Sequence, residues 1–336
     1  MAETYIANKP LVKGNIKLRN RLAFAAIDTQ TGDLNGKVTD RTLDFYREKS
    51  KGFGLVVIEH AYVAPEGKVS PHQLSICEEA DIPSMRRLTD LLHENECSCQ
   101  LQIDHSGGWE LQKLRGLLEA QKTDPTLQGP AMAYSVDEIH QLVDQYAQAA
   151  VRAKEAGFDG VQIKMCHIYL ISQFYSPLTN KRTDEYNGQT LEGRLKFALE
   201  TTRAVRAAVG PDYPVSCRFS CDDFTPGGST MEDFVKSAPQ LVEAGIDMID
   251  ISGGPKYRFS KPGDETPGWF AEHGKAVKKV VDVPIMIAGG LTTPEHAEQL
   301  IQSGAADIAG VCRPVCKNEN WATEALFYYS AMDFPV

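Results

Sequence analysis

One unit recurs along the chain: a helical stretch, a glycine, then a short run of apolar and β-branched residues. Lys51-Gly52-Phe53-Gly54 precedes Leu55–Ile58, and Ala156-Gly157-Phe158-Asp159 precedes Gly160–Ile163. Ala244-Gly245-Ile246-Asp247 precedes Met248–Ile251, and Ser303-Gly304 leads through Asp307 to Ile308–Val311. Glycine supplies the left-handed residue that ends a helix, and runs with few polar interruptions suit strands buried on both faces. Three capping boxes mark helix starts: Ser135-x-x-Glu138, Ser229-x-x-Glu232 and Thr292-x-x-Glu295. After the first, Ile139, Leu142, Val143, Tyr146, Ala147 and Ala150 keep helical spacing.

Four further strands complete the set: Leu22–Ala26, Cys99–Ile103, Val215–Phe219 and Pro284–Ala288. Eight strands alternating with helices predict an α/β fold, a (β/α)8 TIM barrel. The doubly wound open sheet is the weaker alternative, because the first strand leads into no G-x-G-x-x-G turn. The whole chain, residues 1–336, reads as one barrel domain, with an insertion or lid around 106–134.

Composition narrows the class. The 35 Lys+Arg against 45 Asp+Glu leave a net charge of −10, which argues against binding a nucleic-acid backbone but not against one small anion in a local pocket. No apolar run approaches the ~20 residues of a membrane span, and the start MAETYIANKP lacks a signal peptide's apolar stretch. A cytoplasmic location without membrane contact is therefore expected, and the eight cysteines imply no disulfide framework.

Barrel chemistry sits on the loops after the strand C-termini. The strand exits carry Asp28, His60, His105, Lys164 with His167 and Tyr169, Arg218, Ser252-Gly253-Gly254, Gly289-Gly290 and Cys312-Arg313. The last two exits read as a phosphate site: glycines permit close backbone approach, a helix N-terminus follows at Thr292–Glu295, and Arg313 adds a charge-assisted contact. Tight turning alone would also explain these glycines; their joint position after strands seven and eight favours phosphate. Arg218, in Ser216-Cys217-Arg218-Phe219, needs either an anionic ligand or an internal partner such as Glu59 or Asp250.

At the fourth strand, Gly157-Phe158-Asp159-Gly160-Val161 leads through Lys164, His167 and Tyr169 into the segment from Gln173-Phe174-Tyr175-Ser176-Pro177 to Glu185-Tyr186-Asn187-Gly188. This closely resembles the signature of the Old Yellow Enzyme family, FMN-dependent ene-reductases and NADH:flavin oxidoreductases. Leu18-Arg19-Asn20-Arg21, Pro65-Glu66-Gly67, Gln102-x-x-His105-x-Gly107, Arg218, Gly289-Gly290 and Arg313-Pro314 extend the resemblance over nearly the whole chain. It implies an FMN across the barrel mouth. Gln102 and Arg218 would meet the flavin's pyrimidine side, and Gly289, Gly290 and Arg313 its phosphate. Ala26, Ile27, Asp28, His60, Gly253 and Cys312 would complete the cofactor contacts. It also implies a hydride passed from NAD(P)H through the flavin to an activated alkene. Tyr169 matches the family's proton donor, and His167 the second member of the pair that binds the substrate carbonyl.

Several positions depart from the pattern. Lys164 stands where the first carbonyl-binding residue is usually His; it could stabilise an enolate, bind a substrate carboxylate, or be held by a local acid. Asp28 replaces a Thr or Cys, and an Asp28–Lys164 pair under the substrate is expected. Ala26-Ile27 replaces a Pro-Met or Pro-Leu pair, His60 a smaller residue, and Gly108 an Arg. No metal centre is expected: Cys97-Ser98-Cys99, Cys217/Cys221 and Cys312/Cys316 fit no cluster spacing, and the chain ends at Val336 without room for the second domain of larger relatives. Cys166 is either an active-site thiol or a small packing residue.

The leading reading is FMN-dependent, NAD(P)H-driven reduction of an activated C=C bond. A flavin-dependent dehydrogenase or demethylase, an NADH oxidase, a non-catalytic FMN-binding barrel and a Schiff-base lyase using Lys164 are the alternatives. A homodimer and a homotetramer both remain compatible with the sequence.

Overall fold

The computed structural model describes residues 5–107, 133–254 and 267–332. It opens with a hairpin that the pattern above did not predict. Strands β1 (Leu11–Lys13) and β2 (Ile16–Leu18) pair antiparallel through a Gly14-Asn15 turn, with Gly14 at φ 56°. A two-residue loop of that kind matches strand twist when its first residue takes positive φ.

Eight parallel strands then close a barrel. They are β3 (Leu22–Phe24), β4 (Leu55–Tyr62), β5 (Ser98–Asp104), β6 (Gly160–Met165), β7 (Val215–Ser220), β8 (Met248–Ser252), β9 (Ile285–Ala288) and β10 (Ile308–Val311), which pairs back onto β3. Around it run α1 (Asp40–Lys49), α2 (Ile82–Glu94), α3 (Val136–Glu155), α4 (Leu170–Tyr175), α5 (Leu191–Val209), α6 (Met231–Ala244), α7 (Ala271–Val277), α8 (Pro294–Gln302), α9 (Arg313–Lys317) and α10 (Trp321–Met332). Gly52, Gly157, Gly245 and Gly304, the glycines of the recurring unit, all have positive φ. Most of the expected insertion, residues 108–132 with Gly108, lies outside the described residues.

Strand and helix boundaries shift from the expected ones for local reasons. β3 stops at Phe24, whereas β4, β6 and β8 run on, so His60, Lys164 and Ser252 stand within strands rather than beyond them. Thr230, not Ser229, caps α6, forming its box with Asp233, because the Ser229 carbonyl accepts the Asp223 amide and the Ser229 amide donates to Asp223 Oδ2. Thr293, not Thr292, caps α8; the carbonyl of Thr292 accepts the indole N–H of Trp321 instead.

Alternation sorts the strand side chains into barrel interior and helix layer. Val161, Ile163, Cys217, Phe219, Ile249 and Ile251 belong to the large helix-facing core. The interior begins with an apolar layer, Ala23, Leu55, Val57, Met248, Met286 and Ile308, closed from below by Leu11, Ile16 and Leu18 of the hairpin. Above it the interior turns polar. Glu59 is fully buried, and its carboxyl takes hydrogen bonds from the amide (3.0 Å) and hydroxyl (2.5 Å) of Thr29 and, at 3.4 Å, from the Tyr46 hydroxyl. Burial raises its pKa to about 8, the Thr29 bonds opposing and Asp28 reinforcing the shift.

Two outcomes follow. Ile16→Ala opens a cavity under the barrel and should cost about 2–4 kcal/mol of stability, read as a lower urea midpoint at unchanged slope; a cost near zero would mean that the hairpin does not plug the interior. Glu59 holds its proton more tightly folded than unfolded, where its ordinary value is 4.5. The stability it adds is therefore complete below that value and is lost as pH rises through about 8. Glu59→Gln keeps the acceptor and donor pattern but cannot ionise. The variant should gain stability relative to the parent between about pH 5 and about pH 9; a constant difference in urea midpoint across that range would refute the assignment.

Candidate functional site

A ladder of buried polar groups crosses the barrel beneath its mouth. Gln102 Nε2 donates to Gln162 Oε1 at 2.7 Å, and Gln162 Nε2 reaches Asp250 Oδ2 at 3.5 Å. Asp250 Oδ2 lies 3.3 Å from Arg218 Nε, and Arg218 Nη1 donates to the carbonyl of Ala26 at 3.5 Å. Of the two internal partners open to Arg218, the structure selects Asp250. Burial lifts the Asp250 carboxyl to about 6, against the pull of Arg218 and Gln162. Arg218 Nε makes an ion-pair approach but no aligned hydrogen bond, so a buried donor is left at the mouth side of the ladder.

A second cluster stands above β4, β5 and β6. Lys164, 4% exposed, places its ammonium 3.8 Å from Asp104 Oδ2, and Asp104 is wholly buried. This corrects the expected Asp28–Lys164 pair. Asp28 Oδ2 instead accepts from Gln30 Nε2 at 2.5 Å and lies 3.9 Å from His60 Nε2. Asp104, at the C-terminal end of β5, reaches Lys164 from the adjacent strand. The Lys164 ammonium also sits 3.4 Å from the centroid of the buried Tyr169 ring, and His60 packs against the same ring at 5.3 Å.

The His60 tautomer follows from its neighbours. The Val69 amide donates to Gln73 Oε1 at 2.7 Å, which turns Gln73 Nε2 toward His60 Nδ1, also at 2.7 Å. Nδ1 is therefore an acceptor and the proton resides on Nε2. Burial, then Lys164, lower the His60 pKa and keep the ring neutral. Asp104 Oδ2, 3.3 Å from Nδ1, faces a lone pair, so Lys164 is the cation that compensates it. Burial likewise lowers His105 to about 4; its ring lies where a Cβ on Gly67 would fall 2.4 Å away, which accounts for that glycine.

The segment after β6 is a clamp for this cluster. His167 takes φ 63°, unusual without a glycine, and its carbonyl accepts the Ser172 hydroxyl at 2.7 Å. Its Nε2 lies 3.1 Å from Ser252 Oγ. Asn180 Nδ2 donates to the carbonyls of Phe174 and Tyr186, both at 2.8 Å, closing the loop over α4. Gly188 passes where any Cβ would overlap the Asn180 carbonyl. Cys166 is buried, and burial pushes its thiol up to about 11, which makes it a packing residue rather than a nucleophile.

At the opposite rim, Gly289 and Gly290 have φ 136° and 70°. A Cβ on Gly289 would stand 2.7 Å from the Trp269 ring, and the Arg313 guanidinium lies 5.3 Å from the centroid of that ring. Bare backbone, an arginine and an aromatic wall make a cradle for a phosphate. Together with the unsatisfied Nε of Arg218 and the amide of Gln102 across the mouth, the set fits FMN: hydrogen-bonding partners for a flat heteroaromatic edge, and a phosphate seat. Strand-exit reasoning missed Asp104, Gln162 and Trp269. Inward alternation with Gln102 and Lys164 was the available signal for Asp104 and Gln162; Trp269 carried none.

Comparison with known proteins gives the same answer. Residues 8–326 match the model of the NADH:flavin oxidoreductase / NADH oxidase family. The chain is 33% identical over 321 residues to an NADH oxidase of Thermoanaerobacter brockii, covering 93% of this chain and 49% of that protein. A metal reductase of Desulforamulus reducens is 33% identical over 327 residues, 94% of this chain and 48% of the relative. The chain thus spans about half the length of these curated relatives. Among solved structures, a 2-naphthoyl-CoA reductase in complex with 2-naphthoyl-CoA superposes with a TM-score of 0.84 at 27% identity, covering 98% of this chain and 53% of that one. The Old Yellow Enzyme homologue of Zymomonas mobilis shares the fold, with a TM-score of 0.78 at 23% identity over 97% of this chain and 93% of its own. Among the described residues no helix is long and apolar enough to cross a membrane. Barrel, mouth chemistry and family match converge: the chain shares the barrel fold of Old Yellow Enzyme homologues and belongs to the NADH:flavin oxidoreductase / NADH oxidase family, with FMN as cofactor.

Proposed function

We propose that this protein uses NAD(P)H to reduce a C=C bond conjugated to a carbonyl, with Lys164 and His167 binding the carbonyl oxygen and Tyr169 supplying a proton. The observation that carries the proposal is the Lys164 ammonium seated 3.4 Å over the Tyr169 ring at the barrel mouth. FMN, when bound, supplies the hydride chemistry that links NAD(P)H to the substrate's β-carbon. As negative charge develops on the carbonyl oxygen, Lys164 and the His167 ring, which exchanges Ser252 for substrate, stabilise it in a site that excludes water. Tyr169 gives its phenolic proton to the α-carbon. The adjacent ammonium stabilises the phenolate that remains, and solvent restores the proton. Asp104 keeps Lys164 from becoming an isolated buried charge. Atoms balance as NAD(P)H plus a proton and the alkene giving NAD(P)+ and the saturated product.

The NADH oxidase relative supports a second reading, with dioxygen as the electron acceptor. One variant separates the two. Under the ene-reductase reading, Tyr169→Phe leaves flavin bleaching by NAD(P)H unchanged and slows reoxidation by an enone by about 10²-fold or more, measured by anaerobic stopped-flow. Enone reoxidation unaffected by the substitution would remove Tyr169 from the proposal. Dioxygen needs no carbon protonation, so turnover with oxygen should be insensitive to it.

A further inference from the structure

At the end of the barrel opposite the mouth, three unlike side chains meet. His93 is in the last turn of α2, Cys99 is the second residue of β5, and Asp159 directly precedes β6. Their donor atoms all lie within 4.8 Å of one another. Cys99 Sγ is 3.7 Å from His93 Nε2, which is 3.0 Å from Asp159 Oδ2. We propose that these residues form a divalent metal site of zinc class, with water as the fourth ligand, that fastens α2 to the floor of the barrel.

The geometry is that of a tetrahedron short of its centre. Zinc bonds of 2.0–2.3 Å set ligand-to-ligand edges of about 3.3–3.8 Å. The two His93 separations, 3.7 Å to the thiol and 3.0 Å to the carboxylate, lie at or close to that range, and the thiol and carboxylate, within 4.8 Å of each other, close on an ion by side-chain rotation. The donor set is selective: imidazole nitrogen and thiolate sulfur beside one carboxylate suit zinc, whereas magnesium and calcium require oxygen. The site is also oriented from behind, because the Cys99 amide donates to Asp159 Oδ2 at 2.8 Å and so holds the carboxylate against the thiol. Access is one-sided. Cys99 is buried, while the His93 and Asp159 side chains are each 42% exposed, so an ion arrives from solvent and settles on the sulfur.

Binding replaces the thiol proton: the zinc–sulfur bond forms, the S–H bond breaks, and one proton leaves to solvent without any change of oxidation state. Burial, with Asp159 reinforcing it, holds the free thiol protonated, well above its ordinary value, so without metal Cys99 is inert and His93 and Asp159 simply meet at the surface, 3.0 Å apart. The three ligands come from separate segments of the chain, 60 residues apart between Cys99 and Asp159, which is why cysteine spacing along the sequence does not reveal them. The barrel face they occupy is the one used for stability rather than catalysis.

Zinc chloride added at one equivalent to the purified flavoprotein, followed by desalting and elemental analysis, tests this. One zinc per chain should be retained, with a rise in Tm. Cys316→Ser, which removes an exposed thiol elsewhere, should retain it equally. His93→Ala, at a solvent-facing position that leaves the core intact, should weaken binding at least tenfold and abolish the rise in Tm. Cobalt(II) in place of zinc should give ligand-field bands to the red of the flavin absorption, lost in His93→Ala and Cys99→Ser. No retained zinc, or equal retention by His93→Ala, would overturn the proposal. Because His93→Ala leaves the core untouched, it decides the matter even if Cys99→Ser folds poorly.

Discussion

The carboxylate of Asp250, wholly buried and 3.3 Å from the Arg218 guanidinium, is the interaction on which the mouth of this barrel depends. An unpaired arginine inside a barrel would cost several kcal/mol, and a lone carboxylate would surrender its charge; burial already lifts Asp250 to about 6. Paired, each holds the other's ionised form. The pair then orders what lies beside it. Gln162 turns its amide nitrogen to Asp250, which leaves its oxygen for Gln102. A single ion pair thereby orients two amides and fixes the polar edge presented to a flat cofactor. The apolar floor built by Ile16, Leu55 and Met248 keeps water from reaching the ladder from below.

The second electrostatic unit, above β4, β5 and β6, is arranged on the same principle. Asp104 offers its charge to Lys164 across a strand, and Lys164 spends its other face on the Tyr169 ring. A neutral His60, its tautomer set by Gln73 and ultimately by the Val69 amide, separates this charged pair from Asp28. Lys164 therefore enters as part of a compensated unit, its ammonium held between the Asp104 carboxylate and the buried Tyr169 ring.

Much of this was legible in the residues. The helix–glycine–strand repeat located four of the barrel strands and apolar runs the other four, and the glycines the repeat rested on do adopt positive φ at Gly52, Gly157, Gly245 and Gly304. Polar residues at alternate positions in otherwise apolar strands, Gln102, Lys164 and Arg218, marked the inward face. Other features were hidden for physical reasons. Strand exits say which residues reach the mouth, not which side chains touch, so Lys164 was expected on Asp28 when the neighbouring strand held Asp104. The irregular β4–β5 register between Ile58 and Ala61 is invisible to a period-two reading. The β1–β2 hairpin was overlooked because three-residue strands carry little periodicity, although Gly14-Asn15 between Lys13 and Ile16 is a hairpin signal. The caps slipped by one residue at Thr230 and Thr293 because the neighbouring Ser229 and Thr292 were held by Asp223 and Trp321.

The central claim is that one mouth couples NAD(P)H oxidation to reduction of a conjugated alkene. The direct measurement is an anaerobic titration of the yellow flavoprotein with NADH or NADPH, followed by addition of a cyclic enone, with the flavin spectrum and the product recorded together. The account predicts bleaching by one equivalent of the nicotinamide, then full return of the yellow colour with one equivalent of saturated ketone formed. A flavin that bleaches but returns only when oxygen is admitted, with the enone recovered unchanged, would contradict it.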